Sequence, residues 1–144
     1  MMLLLSDTNI RLATKDDLPF IADSWCKAMY HTYPNQYVLD FVPKFHKQIA
    51  GILQNASCVV SCLDTDPNAI VSYLIYTSFM GNLVVYYAYT KVEERKNGFL
   101  NQLLEFANPD NRPTIFVYPA KNERIMQHFA QKFIYDPYLT TIGA

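Results

Sequence analysis

The sequence predicts a mixed α/β (α+β) domain, a mainly antiparallel central sheet flanked by helices, in the order β-α-α-β-β-β-α-β-α-β. Three observations lead there. Runs of β-branched and aromatic residues fill 57–63, 69–77 and 83–90, with turn residues between them. Apolar residues recur at helical spacing over 18–29, 45–53 and 99–107. Strands follow one another in mid-chain but alternate with helices toward the end, so hairpins should come first and two strand–helix–strand units can then add parallel pairing.

Each element has a local cause. Residues 9–13, Asn-Ile-Arg-Leu-Ala, read as a short first strand. Thr14 with Asp17 three residues on forms a capping-box-like start, and Asp16 and Asp17 suit the first turn of a helix. Leu18, Ile21, Ala22, Trp25 and Met29 then mark one helical face, which should end before Pro34. A polar, aromatic loop over 31–37 follows. A second helix should begin near Pro43 and bury Phe45, Ile49, Ile52 and Leu53. The Asp-Thr-Asp-Pro-Asn segment 64–68 separates two strands as a turn, and Gly81 with Asn82 marks the next one. After the helix at 99–107, residues 108–113 form a surface loop and 114–118 a strand. Asn122 opens a last helix whose Ile125, Met126, Phe129, Ala130 and Phe133 face inward, and 135–139 form a last strand.

The 144 residues suffice for a single domain over 1–144 and are too few for two comfortable ones. With 17% charged and 15% aromatic residues, the chain has the composition of a folded globule. A formal net charge of −1 carries no basic footprint, so no nucleic-acid partner is expected. Cys58 and Cys62 on one strand would stand roughly 13 Å apart, beyond disulfide reach. Buried free thiols in a reducing compartment are the expectation. The apolar start Met1 to Leu5 lacks a basic region and is too short to span a bilayer, which predicts a cytoplasmic protein with no membrane partner. No histidine pair or acidic cluster has metal-ligand spacing, and no serine sits in a nucleophile-elbow setting.

The most informative stretch joins the strand ending near Thr90 to the helix starting near Phe99. Its loop carries Arg95, Lys96, Asn97, Gly98, Phe99 and Leu100. A helix start presents unpaired N–H groups and a partial positive charge. With Gly98 allowing close approach and two cations beside it, this segment suits a phosphate group. The same pattern also serves a plain strand-to-helix turn with a solvated charge cluster.

That element order and loop resemble the GNAT superfamily of acyl-CoA-dependent N-acyltransferases. Arg95-x-x-Gly98-x-Leu100 is similar to the family's Arg/Gln-x-x-Gly-x-Gly/Ala, the stretch from Ile10 to Leu18 is similar to its opening strand and helix cap, and Asn122 stands where its last helix often has asparagine. The style of N-terminus and loop is also similar to that of phage-encoded GNAT-like proteins. The resemblance implies acetyl-CoA as co-substrate, lying where the fourth and fifth strands splay. Its pantetheine arm would run along Tyr89, Thr90 and Val92, and its diphosphate would rest on amides from Arg95 to Leu100. It further implies transfer of an acetyl group to a small-molecule or protein amine.

The chain departs from the family pattern at three places. Leu100 stands where the family keeps a small residue, and a crowded leucine would weaken or reshape coenzyme binding by about 1–3 kcal/mol. The fourth strand offers tyrosines but no carboxylate, which leaves Glu93 and Glu94 just beyond it as candidates for the base. The usual helix tyrosine is replaced by Phe129 or Ala130, leaving Tyr118 and His128 as candidate acids. Acceptor binding falls to Tyr30, His31, Tyr33 and Tyr37, whose rings can equally be loop packing. The departures also fit a degenerate GNAT-like module that binds a protein partner or serves as a structural component.

Overall fold

The computed structural model describes residues 3–32, 41–116 and 133–135, and leaves undescribed the side chains of 29–32, 41–46 and 133–135. Nine regular elements lie in these segments: β1 (Thr8–Leu12), α1 (Leu18–Thr32), α2 (Phe41–Asn55), β2 (Ser57–Leu63), β3 (Asp66–Phe79), β4 (Asn82–Thr90), α3 (Phe99–Ala107), β5 (Thr114–Phe116) and β6 (Phe133–Tyr135). The six strands form one sheet in sequence order. Pairing is antiparallel from β1 to β4 and parallel from β4 through β5 to β6. The expected mixed, mainly antiparallel sheet is borne out.

Alternating strand side chains divide the core into two layers. On one face Ile21, Trp25 and Cys26 of α1 and Ile49 and Ile52 of α2 pack on Val60, Tyr73, Ile75, Val84, Tyr86 and Tyr87. On the other, Leu103, Leu104 and Ala107 of α3 pack on Val59, Leu74, Leu83, Val85 and Phe116. Where side chains are described, the helical stripes read from the sequence face the core, except at Phe106, which belongs to the apolar pattern of α3 but is 50% exposed. All three cysteines are free, and burial pushes the Cys58 thiol up to about 12. Among the described residues no helix is long and apolar enough to cross a membrane, and no group of three potential ligands could hold a metal ion.

Several boundaries differ from expectation. β3 starts at Asp66, so the β2–β3 turn shrinks to two residues. Pro67 is tolerated because β2 pairs with Asp66 and next with Ile70, leaving the intervening residues without ladder partners. α1 runs on to Thr32, so Tyr30 and His31 are helical rather than loop residues. β6 begins at Phe133, a position expected on the inner face of a helix. The expected last helix from Asn122 and residues 136–139 of the expected last strand lie outside the described residues.

One ion pair ties β1 to α1. The Arg11 guanidinium meets both carboxylate oxygens of Asp17, at 2.6 and 3.0 Å, and also donates to the Pro67 carbonyl at 2.8 Å. The same carboxylate accepts the Thr14 N–H at 2.7 Å, which is the capping read from the sequence. The Arg11 side chain holds the Asp17 pKa down at about 2. A carboxyl depressed in the folded state stabilises fully above its unfolded value of about 3.9 and loses that contribution as pH falls through the folded value. Asp17→Asn should therefore lower stability at pH 7 by about 1–2 kcal/mol. Urea titrations of both proteins should show the gap closing between about pH 4 and pH 2; a gap independent of pH contradicts the assignment.

Candidate functional site

The site is organised by β4, whose two edges are bonded to different extents. Along β3 it is paired throughout, from Phe79 opposite Asn82 to Ser72 opposite Thr90. Along β5 the pairing among the described residues covers only Leu83, Val84 and Val85. Beyond Val85 no described strand covers that edge. The ladder to β3 also carries a bulge: Ile75 faces Tyr87 and Tyr76 faces Val85, so Tyr86 is the extra residue. The bulge turns Tyr86 and Tyr87 alike toward α1 and α2, while Val85 and Ala88 face α3.

Strand parity fixes which main-chain groups meet the open edge. Lys91 N–H donates to Val71 C=O at 2.9 Å. In an antiparallel ladder the main-chain groups of Tyr89 then also point to β3, and those of Ala88 and Thr90 point the other way. Tyr89 C=O additionally accepts the Ser72 hydroxyl at 2.7 Å. Thr90 C=O, on the open edge, accepts Arg95 Nε at 3.1 Å. Ala88 is the edge residue that sequence reasoning passed over, because its orientation depends on the bulge two residues earlier.

After β4 comes a short 3-10 turn, Val92–Glu94, and then the glycine loop. Val92 and Glu93 are exposed; Glu94 is half-buried and accepts Asn97 Nδ2 at 3.4 Å. Lys96 and Gly98 both adopt positive φ, 71° and 88°. Left-handed residues one apart curl the chain, which is how successive N–H groups form anion-holding concavities. Among the described residues no acceptor engages the N–H of any residue from 96 to 101. The first amide of this region with a partner is Gln102, which donates to Gly98 C=O at 3.0 Å. Phe99 is buried, so the helix start is anchored from beneath.

Leu100 lies differently from the expectation of crowding. Its side chain is half-buried and packs against the α3-side core. Near Gly98 the surroundings are open as well: an added Cβ would find one neighbour within 4 Å, Leu5 Cδ1 at 3.7 Å.

On the opposite face lies an aromatic wall. Trp25 stacks on Tyr87 at 5.6 Å, Tyr73 stacks on Tyr89 at 5.1 Å, and Phe20 meets Tyr73 and Tyr89 edge-on at 6.3 and 5.8 Å. The Tyr73 hydroxyl is shared with Ser24 Oγ at 2.6 Å, pinning α1 to β3. Burial raises the Tyr87 pKa to about 12 and also raises that of Tyr89, and the Arg95 charge pulls both part of the way back. Alternation on β3 and β4 could have revealed Tyr73, Tyr87 and Tyr89; Phe20 gave no signal, lying off the buried stripe. Of the other expected site residues, Tyr33, Tyr37, Tyr118, Asn122 and His128 lie outside the described residues. Tyr30 and His31 are placed on α1 by their backbone alone.

No protein-family model matches the sequence, and no curated protein matches it. Solved structures do. The chain is similar to a protein of Clostridium difficile 630 described as a possible acetyltransferase, with TM-score 0.61 and 18% identity over 86% of this chain and 88% of that one. It is similar to ribosomal-protein-alanine N-acetyltransferase from Brucella melitensis biovar Abortus 2308, with TM-score 0.56 and 14% identity over 86% and 90% of the two chains. A third is a GNAT family acetyltransferase from Brucella melitensis in complex with acetyl-CoA, at TM-score 0.53 and 11% identity, covering 83% and 80%. At these identities the likeness is one of fold: the chain has the GNAT fold.

The two left-handed residues make opposite predictions. Gly98→Ala should lower stability by about 1 kcal/mol through backbone strain alone, since space is available. Lys96→Gly should be neutral or gain up to about 1 kcal/mol. Urea midpoints at constant slope measure both, and a neutral Gly98→Ala contradicts the loop geometry.

Proposed function

We propose that this chain is an acyl-CoA-dependent N-acyltransferase that moves an acetyl group from acetyl-CoA directly to an amine. One observation carries the reading: the unengaged N–H groups of residues 96–101 stand at the start of a nine-residue helix, next to the open half of β4. Main-chain donors at a helix start suit a diphosphate, and an uncovered strand edge suits the amides of a pantetheine arm. A fold neighbour solved with acetyl-CoA supports the choice of co-substrate.

On this reading the amides of Lys96, Asn97, Gly98, Phe99 and Leu100 hold the diphosphate, with Lys96 supplying charge; Arg95, expected with them, already donates its N–H to Val92 C=O at 3.4 Å and stands at the margin of the cradle. Ala88 and the N–H of Thr90, whose carbonyl is already taken by Arg95 Nε, offer edge groups to the pantetheine arm, ahead of Tyr89, whose main chain is turned to β3; Val92 lies just beyond. Asn122 keeps its proposed place at the coenzyme. The amine nitrogen attacks the thioester carbonyl, the C–N bond forms as the C–S bond breaks, the nitrogen loses a proton and the thiolate gains one. Glu93 and Glu94 are the proposed takers of the amine's proton, with Tyr118 and His128 the proposed donors to the thiolate. Tyr30, His31, Tyr33 and Tyr37 would border the acceptor. A degenerate module drew support from a crowding leucine, a strand without a carboxylate and a last helix without its tyrosine; the packing of Leu100 against the α3-side core speaks against the first of these.

Calorimetric titration with acetyl-CoA tests the reading. Wild type should bind with a Kd of about 1–100 μM. Gly98→Trp, checked for a wild-type circular dichroism spectrum, should abolish the heat. No binding by wild type at millimolar coenzyme overturns the proposal.

A further inference from the structure

The coenzyme site leaves the far edge of the sheet without a role. β1 is the outermost strand there, and among the described residues only β2 pairs with it. Two bonds fix which of its main-chain groups turn inward. Ala13 N–H donates to Cys58 C=O at 2.9 Å, and Asp64 N–H donates to Asp7 C=O at 3.0 Å. Both fit the one unbroken register of this strand pair, so the odd-numbered residues from 7 to 13 bond β2. The main-chain groups of Thr8, Ile10 and Leu12 therefore point outward. Two of these groups are taken within the chain: Thr8 N–H donates to Leu5 C=O, and Leu12 C=O accepts Arg11 Nη1 at 3.2 Å. The N–H and C=O of Ile10, the N–H of Leu12 and the C=O of Thr8 have no partner among the described residues.

An open strand edge invites pairing with another chain, and proteins blunt such edges with lysine, proline or a bulge. The strand Thr-Asn-Ile-Arg-Leu carries none of these. Its one charge, Arg11, is neutralised by Asp17 at 2.6 Å. Leu12 is 62% exposed at one end of the strand, and Leu4 and Leu5 are exposed just before the other. The edge is thus unprotected and flanked by apolar surface.

We infer that β1 pairs antiparallel with β1 of a second copy of this chain, about a two-fold axis at Ile10, so that one sheet runs through both copies. The unpaired groups select both the occupant and the register. With Ile10 opposite Ile10 of the second copy, each Ile10 N–H meets an Ile10 C=O, and each Leu12 N–H meets a Thr8 C=O. Every unpaired donor then has an unpaired acceptor, and the groups already taken, Thr8 N–H and Leu12 C=O, fall opposite each other. Sliding by one bonded pair in either direction sets an unpaired group against a taken one. In this register Arg11 lies opposite Asn9, not another arginine. Leu12 lies opposite Thr8, whose hydroxyl donates to the Leu5 carbonyl at 2.8 Å, so the exposed Leu12 of one copy comes toward the Leu4–Leu5 turn of the other. Charge is compatible as well: Asp7 meets the end of the strand that carries Lys15 and Asp16, whose charges cancel. Two-fold pairing closes at two chains. β4 stands three strands away from β1, so the pairing does not cover its open edge.

Sedimentation equilibrium over about 1–500 μM protein tests the inference. A short strand pair with a small apolar contact makes a weak dimer, so wild type should pass from one chain to two with a Kd of about 10–100 μM. Leu12→Pro removes an outward N–H and no bond to β2, and Leu12→Lys supplies the missing edge charge. Each should weaken the dimer by about tenfold or more while keeping the wild-type circular dichroism spectrum. Amide hydrogen exchange at Ile10 and Leu12 should slow severalfold as wild-type concentration rises, with Arg11, already bonded to β2, as the unchanged control. A chain that stays single throughout the range overturns the inference. So does a dimer that neither substitution weakens, an assembly larger than two, or exchange at Ile10 and Leu12 that ignores concentration. None of these readings involves the coenzyme, so they stand or fall apart from the acyltransferase proposal.

Discussion

The structure depends on the unequal bonding of the two edges of β4. One edge is held by β3 for the whole strand, whereas among the described residues the other is held by β5 only from Leu83 to Val85. A strand fixed on one side can leave the other open without unravelling, because half its main-chain groups stay paired. The Tyr86 bulge adds a second consequence. By putting two consecutive tyrosines on the α1–α2 face, it builds an aromatic surface there and returns Ala88 to the α3 face at the level of the open edge.

The two layers divide the work. The α3 layer supplies main-chain donors, and the packing of Phe99, Leu100, Leu103 and Leu104 holds those donors still. The α1–α2 layer supplies side chains: rings and hydroxyls. Pinning between layers is local and polar. The Arg11–Asp17 pair fixes where α1 leaves β1, and the Tyr73–Ser24 bond fixes its second turn on β3. Arg95 belongs by its backbone to the glycine loop, and its side chain reaches back to the Thr90 carbonyl at the end of β4.

Much of this was legible in the sequence. The stripes of α1 and α3, the limits of β2 and α3, and the Thr14–Asp17 cap follow from periodicity and capping chemistry, which act over a few residues. The glycine loop was legible because Gly98 and its strand–helix setting are local as well. What stayed hidden depends on pairing across the sheet. A one-residue bulge has no composition signal, so the shared orientation of Tyr86 and Tyr87 and the edge position of Ala88 could not be read. Leu100 misled for a related reason: its place in a motif does not say which way its side chain turns, and the packing of α3 on β2 and β3 decides that. Pro67 misled more mildly, because a break in the β2–β3 ladder frees the position from needing a donor.

The central claim is that the main-chain N–H groups of residues 96–101 receive an anion. Amide-resolved nitrogen–proton NMR spectra during a titration with inorganic diphosphate, and then with acetyl-CoA, address it most directly. The account predicts that the largest shifts fall on Lys96 through Asn101 for both ligands, with Ala88 and Thr90 joining only for acetyl-CoA. Unmoved amides over 96–101, with shifts confined to exposed lysines and arginines elsewhere, would contradict it.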